Sequence, residues 1–437
     1  MGGDEGAIEI SLGRGASAEI PKRDLPNLQI IEPRGLPPMD PGALFEGALR
    51  RPLDGVPLGE ADGAAVIFPD HTRHPSPFMR ELILELEKRC DDIKLICANG
   101  SHHPPDEGHY RRALGDYVYE RYKGSIFLSS TNEKGSRYAP IGRTSRGTEV
   151  EVHEELLDRD LIISTGNVQP HFFAGYGGGA KAILPGCSSL GSIISNHALA
   201  IGDARARELI LDGNPVREDM EEAAGLLARG GREYRVLDFV LNPDGSPAAA
   251  AYGPPLEAHR YLAEGFARAI YAVEARPAKL VISVADWPAG RNLMQALKAA
   301  WYASNIADRG GGAKPTVLLV AALTDGIGNP SLREEMTRYA GWEPKRVFED
   351  LRRRAREGTL TETSQGPNRL AMDRERLNLI VASPSAPREV VDTLEAAGYE
   401  FFRSVEEALG AVPPESKRAA ALLPHGSLTV PLPKGAI

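Results

Sequence analysis

Residues 169–186 gather side chains with several distinct chemistries: Gln169, Pro170, His171, Phe172, Phe173, Ala174, Gly175, Tyr176, Gly177, Gly178, Gly179, Ala180, Lys181, then Leu184, Pro185 and Gly186. A lysine amine can carry a covalent group, and an imidazole can move a proton near neutral pH. Consecutive glycines expose backbone N–H groups that bind anions, and a following helix would add its positive N-terminus. Gly177, Gly178 and Gly179 are therefore candidate contacts for a nucleotide phosphate. The segment departs from the ATP-binding P-loop, because Ala180 separates Gly179 from Lys181 and Ala182 stands where a Ser or Thr would hold magnesium. The plain alternative is a flexible glycine turn, which the bracketing His171 and Lys181 disfavour.

Four further clusters qualify. Asp70, His71, Thr72 and Arg73 follow an apolar run, and Arg73 could grip a carboxylate or phosphate, although Asp70 could equally cap a helix. Gly100, Ser101, His102 and His103 follow the next apolar run, before two prolines, as also happens in ordinary loops. His197 sits among Ile193, Ile194, Ala198 and Leu199, where a lone histidine is usually a core residue and becomes a metal ligand only if other groups converge. Asp286, Trp287 and Pro288 precede Arg291, Gln295 and Lys298, whose spacing puts the last three on one helix face, solvated or functional. No His-x-x-x-His or Cys-x-x-Cys pattern supplies a zinc site.

The elements that must position these residues alternate. Buried strands are predicted over 64–68, 93–98, 125–128 and 161–164, with a helix over 78–90, which signals a parallel α/β sheet. Residues 235–241 and 248–252 flank a turn at Asn242–Gly245 and predict a hairpin. A long helix is expected over 257–275, followed by a second α/β series: strands 280–284, 316–321 and 377–382, and helices at 292–307, 331–357 and 387–397. The first sixty residues read as an opening hairpin and loops. The expected fold is two α/β domains with a cofactor and substrate cleft between them: a catalytic domain over 1–276 and a second over 277–418, with the tail 419–437 a candidate to return to the first.

Composition narrows the function. At 437 residues and 42% apolar the chain can bury two cores. A net charge of -9 argues against a nucleic-acid surface, and no apolar run approaches the ~18 residues that span a bilayer. The glycine-rich acidic start, residues 1–15, is not expected to be a signal peptide. Three cysteines with no ligand spacing suit a reducing, cytoplasmic compartment. A small-molecule enzyme is expected.

Taken in order, these motifs resemble the nickel-dependent lactate racemase family, from Asp70 to beyond Lys298. The match is strongest at His171-Phe-Phe-Ala-Gly, the glycines, Lys181, Leu184-Pro185-Gly186 and Asn196-His197. The resemblance implies a nickel-pincer nucleotide, pyridinium-3-thioamide-5-thiocarboxylic acid mononucleotide, joined through Lys181. It implies His197 as the nickel ligand, His102 and His171 as paired acid/base residues, and Asp70, Arg73, Gln295 and Lys298 as cofactor and substrate contacts. A small 2-hydroxyacid would be inverted by hydride transfer, and cofactor-biosynthesis enzymes would be the partners. His103, Ala180 and Met294 depart from the family's usual residues, and the polar Ser101, His103 and Arg291 permit a larger acid such as a dicarboxylate or sugar acid. A nicotinamide-dependent 2-hydroxyacid dehydrogenase and a non-catalytic cofactor-binding sensor stay open as alternatives, the first against the lack of a convincing Gly-x-Gly-x-x-Gly fingerprint.

Overall fold

The computed structural model describes residues 6–13, 15–308, 310 and 314–435. The start of the chain discussed above, Met1–Glu5 and Arg14, lies outside them. The chain divides into two compact units: Gly35–Ile270, and the described parts of Met1–Arg34 and Tyr271–Ile437.

The first unit is built on a six-stranded sheet in the order Pro247–Gly253, Glu233–Leu241, Leu161–Ser164, Gly63–Pro69, Asp92–Gly100, Ile126–Ser130. All neighbours are parallel except the Glu233–Leu241/Pro247–Gly253 hairpin. Its central strands are continuous apolar runs, as burial on both faces requires. Ala64 to Phe68 are essentially inaccessible, and Ala64, Val66 and Phe68 pack with Leu82, Leu95, Ile163 and Phe239. The second unit holds a six-stranded parallel sheet in the order Glu400–Phe402, Asn378–Ala382, Thr316–Ala321, Leu280–Ala285, Ala420–Leu423, Gln29–Ile30. The α/β class is as expected.

Several features differ from the sequence reading. The first 34 residues belong with the second unit, because Gln29–Ile30 pairs with Ala420–Leu423. The tail stays with the second unit too, since Ala420–Leu423 pairs with Leu280–Ala285. The helix expected over 257–275 runs as Pro255–Leu262, a π-turn Ala263–Ala267 and Arg268–Tyr271, then becomes strand Ala272–Ala275 paired with Val430–Pro433. A long-range partner overrides the local helical pattern there. The unit boundary accordingly falls at 270/271 rather than 276. The stretch read as loops contains helix Pro41–Arg50, started by Pro41 in the first turn and by Asp40, whose side chain accepts the Ala43 N–H at 2.8 Å.

Candidate active site

The C-terminal ends of parallel strands line ligand crevices in α/β sheets, and two of the expected clusters stand there side by side. Strand Gly63–Pro69 delivers Asp70, and its neighbour Asp92–Gly100 delivers His102. Asp70 does not cap a helix. Its Oδ1 accepts the backbone N–H of Thr72 at 2.7 Å and the Thr72 hydroxyl at 2.6 Å, while Oδ2 lies 2.5 Å from His102 Nδ1. Arg73 Nη1 donates to Thr72 Oγ1 at 2.8 Å. Burial alone would raise the Asp70 carboxyl, but His102, Arg73 and Thr72 more than offset it and hold the group well below the usual carboxylate range. An ionised Asp70 can only accept, so His102 carries a proton on Nδ1, and Nε2 is the ring nitrogen left to exchange a proton with substrate. Asn99 and Asn132 fix this loop through their side-chain amides, which donate to the His102 carbonyl at 2.8 and 3.0 Å.

The second constellation forms around Phe173. His171 lies edge-on to that ring at 4.6 Å between centroids, His197 lies 4.8 Å away, and the Lys181 ammonium sits 5.6 Å from the ring centre. Each reaches it from a different element. His171 is in the short hairpin Pro170–His171/Gly175–Tyr176, Lys181 is in the 3-10 turn Gly179–Ala182, and His197 is in the last turn of helix Leu190–Ala198. The Ala174 N–H points to His171 Nδ1 at 3.4 Å, so the neutral His171 carries its proton on Nε2. In their neutral forms the two candidate acid/base rings thus carry the proton on different nitrogens, Nδ1 in His102 and Nε2 in His171. Burial, then the charges of Arg73 and Arg217, push the Lys181 amine well below its ordinary range, toward the neutral, nucleophilic form.

The glycine run is not an open anion cradle. Gly177 N–H donates to the Gln169 carbonyl at 2.7 Å and Gly179 N–H to Asp238 Oδ2 at 2.6 Å, so two of the three expected phosphate donors already have partners in the protein. The expected helix N-terminus is a single 3-10 turn. Glycine is required for a packing reason: a Cβ on Gly178, at φ +75°, would stand 2.8 Å from Asp238 Oδ2, and one on Gly179, at φ +60°, 2.9 Å from His259. Behind the loop, the buried Arg217 donates to the carbonyls of Ala174, Tyr176 and Gly178, and His259 Nε2 donates to Gly177 O at 2.8 Å. Burial pushes Asp238 up to about 7, against the N–H groups of Gly179 and Gly166 and the Arg217 charge.

Gln295 and Lys298 are in the second unit, buried in helix Leu293–Ala303, which Asn292 caps by accepting the Gln295 N–H at 3.0 Å. Lys298 Nζ donates to Gln295 Oε1.

Residues 14–208 match the lactate racemase N-terminal domain family. A lactate racemase from Thermoanaerobacterium thermosaccharolyticum is 28% identical over 329 residues, covering 73% of this chain and 74% of the relative. The lactate racemase of Lactiplantibacillus plantarum is 28% identical over 269 residues, 60% of this chain and 61% of that protein. The chain is thus similar to lactate racemases, through the N-terminal domain family and along about three quarters of its length. Its fold agrees: the Thermoanaerobacterium lactate racemase apoprotein superposes with a TM-score of 0.81 at 23% identity, over 97% of this chain and 99% of that one. A Thermotoga maritima protein follows at 0.69 and 16%, over 91% and 99%.

The residues that sequence reasoning passed over are Phe173, taken only as part of a motif, and the buried Arg217, Asp238 and His259. Buried ionisable residues in apolar elements were the signal available for the last three. The residues fit a lysine-linked metal-bearing group. Lys181 is an amine held off its charged form, and His197 is an imidazole in aromatic surroundings. Among the described residues no three His, Cys, Asp or Glu side chains converge on a metal position, so donors on the group itself would have to complete the set.

Proposed function

We propose that this isomerase inverts the α-carbon of a 2-hydroxyacid with a nickel-pincer nucleotide attached to Lys181 and nickel held by His197. The observation that carries this reading is the convergence of His171, Lys181 and His197 on the single ring of Phe173. When bound, the group supplies a hydride acceptor that returns the hydride to either face, which avoids removing the weakly acidic α-hydrogen as a proton. The chain's own residues handle protons and charge. His102 Nε2 takes the hydroxyl proton of one enantiomer, and the Asp70 carboxylate stabilises the imidazolium that forms. His171, as the imidazolium, gives a proton to the oxygen from its own side and returns to its neutral form, and the two rings exchange roles for the other enantiomer. Arg73 and Lys298 bind the carboxylate, with Gln295 orienting Lys298. Asp70 contributes to holding the cofactor region, and Gly177–Gly179 act through the loop they allow rather than through three free donors. The free, buried cysteines suit a cytoplasmic enzyme loaded by cofactor-biosynthesis enzymes.

Production beside those biosynthesis enzymes tests the reading. Peptide mass spectrometry should find a stoichiometric addition on Lys181 with bound nickel, and none in Lys181→Ala. Attachment elsewhere, or activity supported by zinc instead, contradicts it.

A further inference from the structure

The second unit repeats the placement of Asp70 and His102 on adjacent parallel strands. Asp286 is the residue after strand Leu280–Ala285, as Asp70 is the residue after Gly63–Pro69. His425 comes two residues after the adjacent parallel strand Ala420–Leu423, as His102 comes two residues after Asp92–Gly100. The contacts correspond as well. His425 Nδ1 lies 2.8 Å from Asp286 Oδ2, and the Ser427 hydroxyl donates to Asp286 Oδ1 at 2.5 Å, where Thr72 serves Asp70.

This pair is built, not incidental. The His425 carbonyl accepts the Thr429 N–H at 2.8 Å and its hydroxyl at 2.7 Å, and Gly426 N–H donates to the Val284 carbonyl at 2.8 Å. The same loop packs on the helix that carries Gln295 and Lys298: a Cβ on Gly426 would lie 3.2 Å from Ala299 Cβ. The His425 side chain is 38% exposed, and with Nδ1 committed to Asp286 the ring presents Nε2 outward. The charged groups facing it are Asp286 and Glu32, which favour the imidazolium.

We propose that Asp286 and His425 form a second carboxylate–imidazole dyad, and that His425 Nε2 binds a carboxylate or hydroxyl oxygen of the 2-hydroxyacid. The proposal takes its ligand class from the function above, and its test is independent of Lys181 chemistry. Hydrogen bonding to a protonated, carboxylate-backed imidazole suits an oxyanion, and Lys298 on the neighbouring helix supplies a second positive charge.

The ring Cε1–H signal of His425 in the full chain, assigned with His425→Gln, is followed against pH by NMR. The midpoint should lie above the ordinary imidazole range and fall toward it in Asp286→Asn. Saturating L-malate or L-lactate, compared with sodium chloride at equal ionic strength, should raise the wild-type midpoint by about half a unit, roughly a threefold preference for the protonated ring. An unchanged midpoint with both acids overturns the binding role, and a midpoint unmoved by Asp286→Asn overturns the dyad. The protein carries no group on Lys181 in this measurement, so mass spectrometry of the Lys181 peptide judges the proposed function separately.

Discussion

Asp70 and Asp238 are both almost inaccessible, both in the first unit and both bonded to backbone N–H groups, yet they are driven in opposite directions. Asp70 has an imidazole, a hydroxyl and a guanidinium around it, and these overcome the burial penalty. Asp238 faces chiefly the backbone of the glycine loop, with Arg217 donating its hydrogen bonds to carbonyls instead, and burial wins. Charge is therefore concentrated at the strand ends, where an oxyanion substrate needs it. Behind the glycine loop, burial together with the charges of Arg73 and Arg217 holds the Lys181 amine toward its neutral, nucleophilic form. On the proposed function the first region handles protons, while the second holds a loop in place.

The largest expected effect falls on the proton chemistry. His102→Ala and His171→Ala should each lose inversion by on the order of a hundredfold to ten-thousandfold. Each variant should still form some 2-oxoacid from one enantiomer in a rapid-quench experiment, with opposite enantiomer preferences. Identical preferences would break the opposed-tautomer arrangement. Asp70→Asn comes next. Its amide no longer requires a proton on His102 Nδ1, so the wrong tautomer is populated and kcat should fall on the order of a hundredfold. A change below threefold would place Asp70 with the scaffold.

Stability against pH gives the smallest and most diagnostic contrast. The raised Asp238 carboxyl binds more protons folded than unfolded, so its stabilising contribution is complete below about pH 4 and is lost as pH rises toward 7. The depressed Asp70 carboxyl contributes above about pH 4 and is lost as pH falls. Neutral His259, pushed down by burial and then by Arg217, also loses stability on acidification, so the aspartates must be read as variant-minus-wild-type differences. Asp238→Asn should gain stability relative to wild type between pH 4 and 8, at ~1.4 kcal/mol per unit of pKa displacement relieved. Asp70→Asn should lose it over the range in which wild-type Asp70 is ionised. Denaturant unfolding at several pH values checks both, and difference curves of the same sign would remove the contrast.

The sequence made the sheets legible wherever a strand is buried on both faces, as at 64–68, 161–164 and 316–321, because such strands are continuous apolar runs. The glycine loop was legible as a feature but not as chemistry. Only the fold shows that Asp238, some sixty residues further along the chain, takes the Gly179 N–H an anion would need, and that His259 fastens the Gly177 carbonyl. Strand Ala272–Ala275 and the placement of the first 34 residues depend on partners near the opposite end of the chain, which no local pattern encodes. Helix Pro41–Arg50 was readable, since Asp40 followed by Pro41 is a start signal. The Phe173 hub was not, because a ring's neighbours are set by three separate elements.

Deuterium retention at the α-carbon tests the central claim most directly. Cofactor-loaded wild-type enzyme is given one enantiomer of a 2-deuterated 2-hydroxyacid in ordinary water, and the inverted product is analysed by mass spectrometry. Hydride transfer with His102 and His171 confined to the oxygen proton predicts that the inverted acid keeps its deuterium. Inverted acid carrying solvent hydrogen instead would contradict the account and make the same histidines bases toward carbon.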